Sequence, residues 1–176
     1  AVAAAAALLY NGIYTPLKRR TSLALLPGVV CGSLPPLIGW LAGGGAVTDP
    51  PVWSLMLVFG LWQPPHYWLV VLVHPDDYST GDMPSMLRLF SNVQLSRILF
   101  VWAAILGMSI PTLPLAMGMT SPLLYAIEFT NSLALTGLFA VFLLKQTRYR
   151  LLFAVLNFCV FTGVSLVIVE RLWGRI

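Results

Sequence analysis

The sequence predicts an all-α protein, a polytopic transmembrane helix bundle of about six membrane segments. Three observations carry this prediction. The 176-residue chain is 59% hydrophobic and only 9% charged, whereas a soluble domain is about a quarter charged. Its apolar residues form long runs. Its few charges gather in the gaps between those runs.

The runs cover residues 1–13, 24–43, 52–73, 94–116, 122–144 and 149–172. Segment one, AVAAAAALLYNGI, is too short to span alone, because a membrane helix needs about 20 residues. Segments two to six each reach that length. Pro35 and Pro36 interrupt segment two, Pro64 and Pro65 segment three, and Pro111 and Pro114 segment four. Within a bilayer such prolines are tolerated where neighbouring helices or cavity water satisfy the freed carbonyls. Residues 1–176 read as a single integral-membrane domain. The chain opens inside an apolar helix, without an initiator Met or a basic leader, so helices preceding it are expected.

Charge then sets orientation. Lys18, Arg19 and Arg20 follow segment one, Asp76, Asp77, Asp82, Arg88 and Arg97 lie around the gap between three and four, and Lys145, Arg148 and Arg150 join five to six. The alternate loops carry only Asp49. By the positive-inside rule the charged loops face the cytoplasm. A net charge of +4, scattered in this way, gives no footprint for nucleic acid. Cys31 and Cys159 sit alone in apolar segments, as buried structural thiols do.

Two charged gaps on one side suggest chemistry. In YTPLKRRT, Tyr14 and Lys18 are four apart and share a helical face. Lysine supplies a point charge for a phosphate oxygen. The stretch HPDDYSTGD offers Asp76, Asp77 and Asp82. Magnesium binds through one or two carboxylates together with substrate phosphates. Read blandly, KRR is an orientation signal and DDY a solvated turn. Their shared side, flanking the polar segment FGLWQPPHYW, favours a lipid with a diphosphate head. Gly43–Gly45 lacks the strand–glycine–helix context of a nucleotide loop and reads as a turn. His66 lies inside segment three, where polar side chains are costly. It reads as an iron ligand, a proton carrier or a packed, hydrogen-bonded histidine. Glu128, with Asn131 on the same face, reads as hydrogen-bonded to a neighbouring helix, with Asn157 as a candidate partner.

YTPLKRRT resembles the Y-x-x-x-K motif of UbiA-type membrane prenyltransferases. PGVVCGSLPPLIGW, followed by WQPPHYW and DDY, is similar to their heme O synthase (protoheme IX farnesyltransferase) branch. The resemblance implies a nine-helix bundle around a central cavity, of which this chain matches the last six helices. It implies Mg²⁺-dependent transfer of a farnesyl group from farnesyl diphosphate to a vinyl group of heme b, giving heme O. Lys18, Asp76, Asp77 and His66 would be catalytic. Tyr14, Arg19, Trp62, Gln63, His74 and Tyr78 would bind substrate, and Asp76, Asp77 and Asp82 the metal. A lipid bilayer, and heme-biosynthesis or oxidase-assembly membrane proteins, would be partners in a bacterial inner membrane. Two departures stand out: Asp82 replaces a glycine of the pattern, and the family's earlier N-x-x-x-D-x-x-x-D motif is absent. Residues 1–176 alone are therefore expected to be inactive. Trp40, Trp62, Tyr67 and Trp68 are candidates to line a dry cavity around an allylic cation. The alternatives are a UbiA-type enzyme acting on an aromatic acid or quinone precursor, and a non-catalytic fragment or heme-handling assembly protein.

Overall fold

Long apolar runs must close their own backbone hydrogen bonds in a bilayer, and helices do so. The computed structural model describes residues 1–21, 24–74, 89–145 and 147–173, and all its regular elements are helices. They are α1 (Val2–Leu17), α2 (Leu25–Ala42), α3 (Pro50–Val73), α4 (Asn92–Ser109), α5 (Thr112–Ala116), α6 (Pro122–Leu144) and α7 (Tyr149–Trp173). Five spans are long and apolar enough to cross a membrane: α2, α3, α4 continued by α5, α6 and α7. The shorter α1 is apolar as well.

Local chemistry explains where the ends fall. The helix α3 starts earlier than its apolar run, at Pro50, because a proline at a first helical position lacks only an amide that would be orphaned anyway. The helix α4 begins at Asn92 because Ser91 and Gln94 form a capping box, each side chain accepting from the other's backbone amide at 3.3 and 2.9 Å. The fourth run is broken at Ile110–Pro111. There Thr112 Oγ1 donates to the Ser109 carbonyl at 2.6 Å, so the Ser54 hydroxyl, 2.7 Å away, donates to Thr112. Hydroxyls thus satisfy the groups exposed by the break. In α1 the turn Leu9–Tyr14 widens to π geometry just before Pro16. Proline crowds the carbonyl four residues back, and a wider turn relieves that clash while the helix continues.

The core is a four-helix seam. Leu95, Leu99, Ala103 and Leu106 of α4, with Ile110 at its C-cap, recur at three- and four-residue spacing and are fully buried against α3 and α6. Leu135 and Phe139 of α6 and Leu152, Leu156 and Val160 of α7 close the seam. Trp68 is part of this core, edge-on to Trp102 at 6.3 Å. Glu128 is wholly buried between α6 and α7, and neither of its carboxylate oxygens has a hydrogen-bond partner among the described residues. It fits because α7 offers Gly163, where an added Cβ would lie 3.0 Å from Glu128 Oε2. Asn131 turns instead to the Cys159 carbonyl, 2.9 Å away. Asn157 is not the partner of Glu128; it faces α3.

At the periphery, α2 packs mainly on α3, and α1 on α2. The spans alternate in direction, with Ser54 at the start of α3 meeting Thr112 past the end of α4, so Lys18, Arg97, Lys145, Arg148 and Arg150 share one end of the bundle. The opposite end holds the α2–α3 turn. Asp49 does not cap its own helix there; its carboxylate accepts from Trp40 Nε1 at 2.9 Å and the Ala46 amide at 2.7 Å. Trp40 thus ties down this turn through its indole nitrogen while its ring lines an apolar cavity with Pro35, Pro36 and Phe59, and Trp53 Nε1 donates to the Val47 carbonyl beside it. The two indoles sit at a helix-end level where aromatic belts form.

The Trp40 indole, and secondly the Ala46 amide, hold the Asp49 carboxyl below the usual aspartate range. A lowered folded pKa means that this tie is fully present above the ordinary value of about 3.9 and is lost as pH falls through the lowered one. Asp49→Asn is expected to weaken the protein at neutral pH and to flatten the acid limb of its stability below about pH 4. Unfolding in detergent as a function of pH measures this, and an unchanged acid limb would contradict it.

Candidate functional site

One small polar cleft opens at the basic end, between α1, α2 and α3. Its volume is about 240 Å³, and Lys18, Tyr14, Gly28, Gly32, Gln63 and Tyr67 are among its walls. The first wall is a stripe on α1. Lys18 Nζ stands 5.5 Å from the Tyr14 ring centroid, and Tyr10 tilts against Tyr14 at 5.3 Å. Among the described residues no carboxylate pairs with Lys18. A cation held over a ring face at a half-buried position is stabilised modestly, which leaves its charge available to an anion.

Two glycines of α2 make the second wall. A Cβ added at Gly28 would lie 3.1 Å from the Tyr14 ring, and one added at Gly32 would overlap the Gln63 side chain. The amide of Gln63 and the ring of Tyr14 therefore enter the cleft only because these two positions lack side chains. Gln63 and Tyr67 are one turn apart on α3 and reach the cleft together.

The adjacent face of α3 does something different. Trp62 and His66, also one turn apart, point to α7. Trp62 Nε1 donates to Asn157 Oδ1 at 3.1 Å, and His66 Nδ1 lies 3.1 Å from the same oxygen. Asn157 Nδ2 donates to the Phe153 carbonyl at 2.7 Å. The imidazole packs between Trp62, 4.3 Å between centroids, and Phe153, 4.9 Å. Pro64 and Pro65 lie buried between these pairs. Lacking amides, they leave the Gly60 and Leu61 carbonyls without the usual helical donor.

The structure thus brings Tyr14, Lys18 and Gln63 together, and sets Trp62 and His66 one helix face away. It does not bring Arg19 to them: Arg19 is exposed, in a shallow groove with Thr15, Pro16 and Arg20. His74 caps the end of α3 and is exposed. Asp76, Asp77, Tyr78 and Asp82 lie outside the described residues. Among the described residues no group of three or more His, Cys, Asp or Glu converges as a metal site. The donors of the cleft, an ammonium and phenols, suit an anion rather than a bare cation. Tyr10, Gly28 and Gly32 were not singled out from the sequence, and Asn157 was read there only as a candidate partner of Glu128. Tyr10 continues the four-residue stripe of Tyr14 and Lys18 and could have been found by its spacing. The other three depend on how the helices rotate against one another.

The fold is thus a bundle of helices long and apolar enough to cross a membrane, with a cleft at its basic end whose donors suit an anion. The model of the UbiA prenyltransferase family matches residues 1–162, and the chain belongs to that family. Relatives named protoheme IX farnesyltransferase are similar to it. That of Geobacter sulfurreducens is 43% identical over 64% of this chain and 42% of its own length. That of Nitratidesulfovibrio vulgaris (strain DP4) is 40% identical over 62% of this chain and 39% of its own. That of Geotalea uraniireducens is 31% identical over 89% of this chain and 62% of its own. The chain thus spans about two fifths of the length of the first two. No solved structure matches.

If Gly32 exists to admit Gln63, the two should be coupled. Gly32→Ala is expected to cost about 1–3 kcal/mol of stability, and Gln63→Ala should remove most of that cost in the double variant. Gly39→Ala, with open space around its Cβ position, is the control. A Gly32→Ala penalty that Gln63→Ala fails to relieve would contradict the packing.

Proposed function

We propose that the protein containing this chain transfers a farnesyl group from farnesyl diphosphate to a vinyl group of heme b, giving heme O. One observation carries the reading: the Lys18 ammonium over Tyr14, with no carboxylate partner among the described residues, in a narrow cleft that α2 keeps open with Gly28 and Gly32. A cleft of about 240 Å³ lies below the usual range of ligand pockets, about 300–1,000 Å³. It fits a diphosphate head and is too small for a porphyrin. The names of the relatives support the heme half of the reading.

In this reading Lys18 and the tyrosine hydroxyls hold the diphosphate. When the allylic C–O bond breaks, its electron pair leaves with the diphosphate. Lys18 stabilises that charge more in the transition state than in the ground state, which is what lowers the barrier. Asp76, Asp77 and Asp82 would hold Mg²⁺, which when bound neutralises charge on the departing group. The apolar helices exclude water until the vinyl carbon meets the farnesyl carbon. His66 and Trp62, on the next face of α3, are assigned to the porphyrin side. His74 and Tyr78 are assigned to substrate binding on the resemblance alone. The basic end faces the cytoplasm of a bacterial inner membrane, by the positive-inside rule and the bacterial origin of the relatives.

The test is heme O formation by the full-length protein in membranes supplied with heme b, farnesyl diphosphate and Mg²⁺. Lys18→Ala is expected to lower kcat/KM for farnesyl diphosphate on the order of 100-fold. Arg19→Ala, outside the cleft, should change it by at most about fivefold. Undiminished turnover by the Lys18 variant would defeat the assignment.

A further inference from the structure

We propose that Asn157 of α7 is a positioning residue that holds His66 as its Nδ1–H tautomer, so that Nε2 is the nitrogen His66 offers to a substrate. This deepens the proposed function and rests on its placement of His66 at the site.

The assignment follows from donors and acceptors that leave no choice. The Trp62 indole nitrogen can only donate, and the Phe153 carbonyl can only accept. They lie 3.1 and 2.7 Å from the two ends of the Asn157 amide, which fixes its oxygen toward α3 and its nitrogen toward its own helix. The oxygen, already accepting from Trp62, has no proton to give. His66 Nδ1, 3.1 Å from that oxygen, must therefore carry the hydrogen. A neutral imidazole has one N–H, so Nε2 keeps its lone pair. Nε2 makes no hydrogen bond among the described residues.

The ring is also clamped. Trp62 and Phe153 cover it at centroid distances of 4.3 and 4.9 Å. Turning it over would set a carbon against Asn157 Oδ1 and forfeit the bond. Both lone pairs of that oxygen are thus spent on holding Trp62 and His66 in fixed register across the α3–α7 seam. His66 then meets its ligand as an electron-pair donor, toward an acidic proton or an electron-poor metal centre of the substrate, and never as an N–H. The cleft holding Lys18 lies on the other face of α3, so this device should act on chemistry without touching diphosphate binding.

The experiment uses full-length protein labelled with ¹⁵N-histidine in lipid nanodiscs. The His66 nitrogen shifts should report the Nδ1–H tautomer in the wild type and a mixture of tautomers in Asn157→Leu. Asn157→Asp keeps an acceptor at the same place and should keep the wild-type tautomer. In heme O assays Asn157→Leu should lower kcat on the order of tenfold or more with KM for farnesyl diphosphate unchanged, as loss of a group that orients a functional histidine does. Asn157→Asp should recover part of that loss. A wild-type His66 in the Nε2–H form would overturn the proposal, and that spectrum decides the matter even if Asn157→Leu does not fold. Equal losses of kcat in folded Leu and Asp variants would overturn it as well, since packing alone would then explain them. Absence of heme O from the wild type would sink the farnesyl-transfer reading while leaving the spectrum to decide the tautomer.

Discussion

A single bilayer helix, α3, carries polar side chains on two neighbouring faces, and everything else at the site answers to that constraint. Hydrocarbon offers no hydrogen bonds, so each polar group at that depth needs a partner or a cavity. The first face solves this with space: Gly28 and Gly32 of α2 leave room for Gln63, Tyr67 and the α1 stripe to share a cleft. The second face solves it with one amide, Asn157, whose oxygen takes both Trp62 and His66. A double proline lies between the two pairs and is buried.

This arrangement makes α3 a partition. The cleft with Lys18 lies on one side, at the basic end of the bundle, and an aromatic-clamped imidazole lies on the other. Such a division suits a reaction that must hold a diphosphate and a second, larger substrate at once without confusing their contacts. The stability of the partition comes from elsewhere. The seam of α4, α6 and α7 supplies the apolar core, and the Asp49 turn ties α2 to α3 at the far end. The wide turn in α1 lets that helix continue past Pro16 to present Tyr14 and Lys18 together.

Much of this was legible in the sequence because membrane burial leaves a strong signal. Five runs of spanning length and one shorter run became five spanning helices and one shorter helix, with ends moved by Pro50 and by the Ser91–Gln94 capping box. The Tyr14–Lys18 pair was readable because helical spacing alone puts the two on one face. What could not be read is rotational phase between helices that are apolar all round. Asn157 was read as a candidate partner of Glu128, and only the packing of α7 shows that it meets Trp62 and His66. Trp40 and Trp68 looked alike as cavity aromatics by type, but Trp40 lines an apolar cavity while tying a turn, and Trp68 packs in the core. The glycines of α2 matter through what they leave empty, which no composition reveals.

The claim beneath the whole account is that the diphosphate end of the substrate sits at Lys18. A photoreactive farnesyl diphosphate analogue, with its reactive group on the head, tests this directly when cross-linked to the full-length protein and mapped by mass spectrometry. The account predicts labelled peptides from the end of α1, the start of α2 and the Gln63–Tyr67 turn of α3. Labelling concentrated at the opposite end, around Trp40, Asp49 and Arg171, would contradict it.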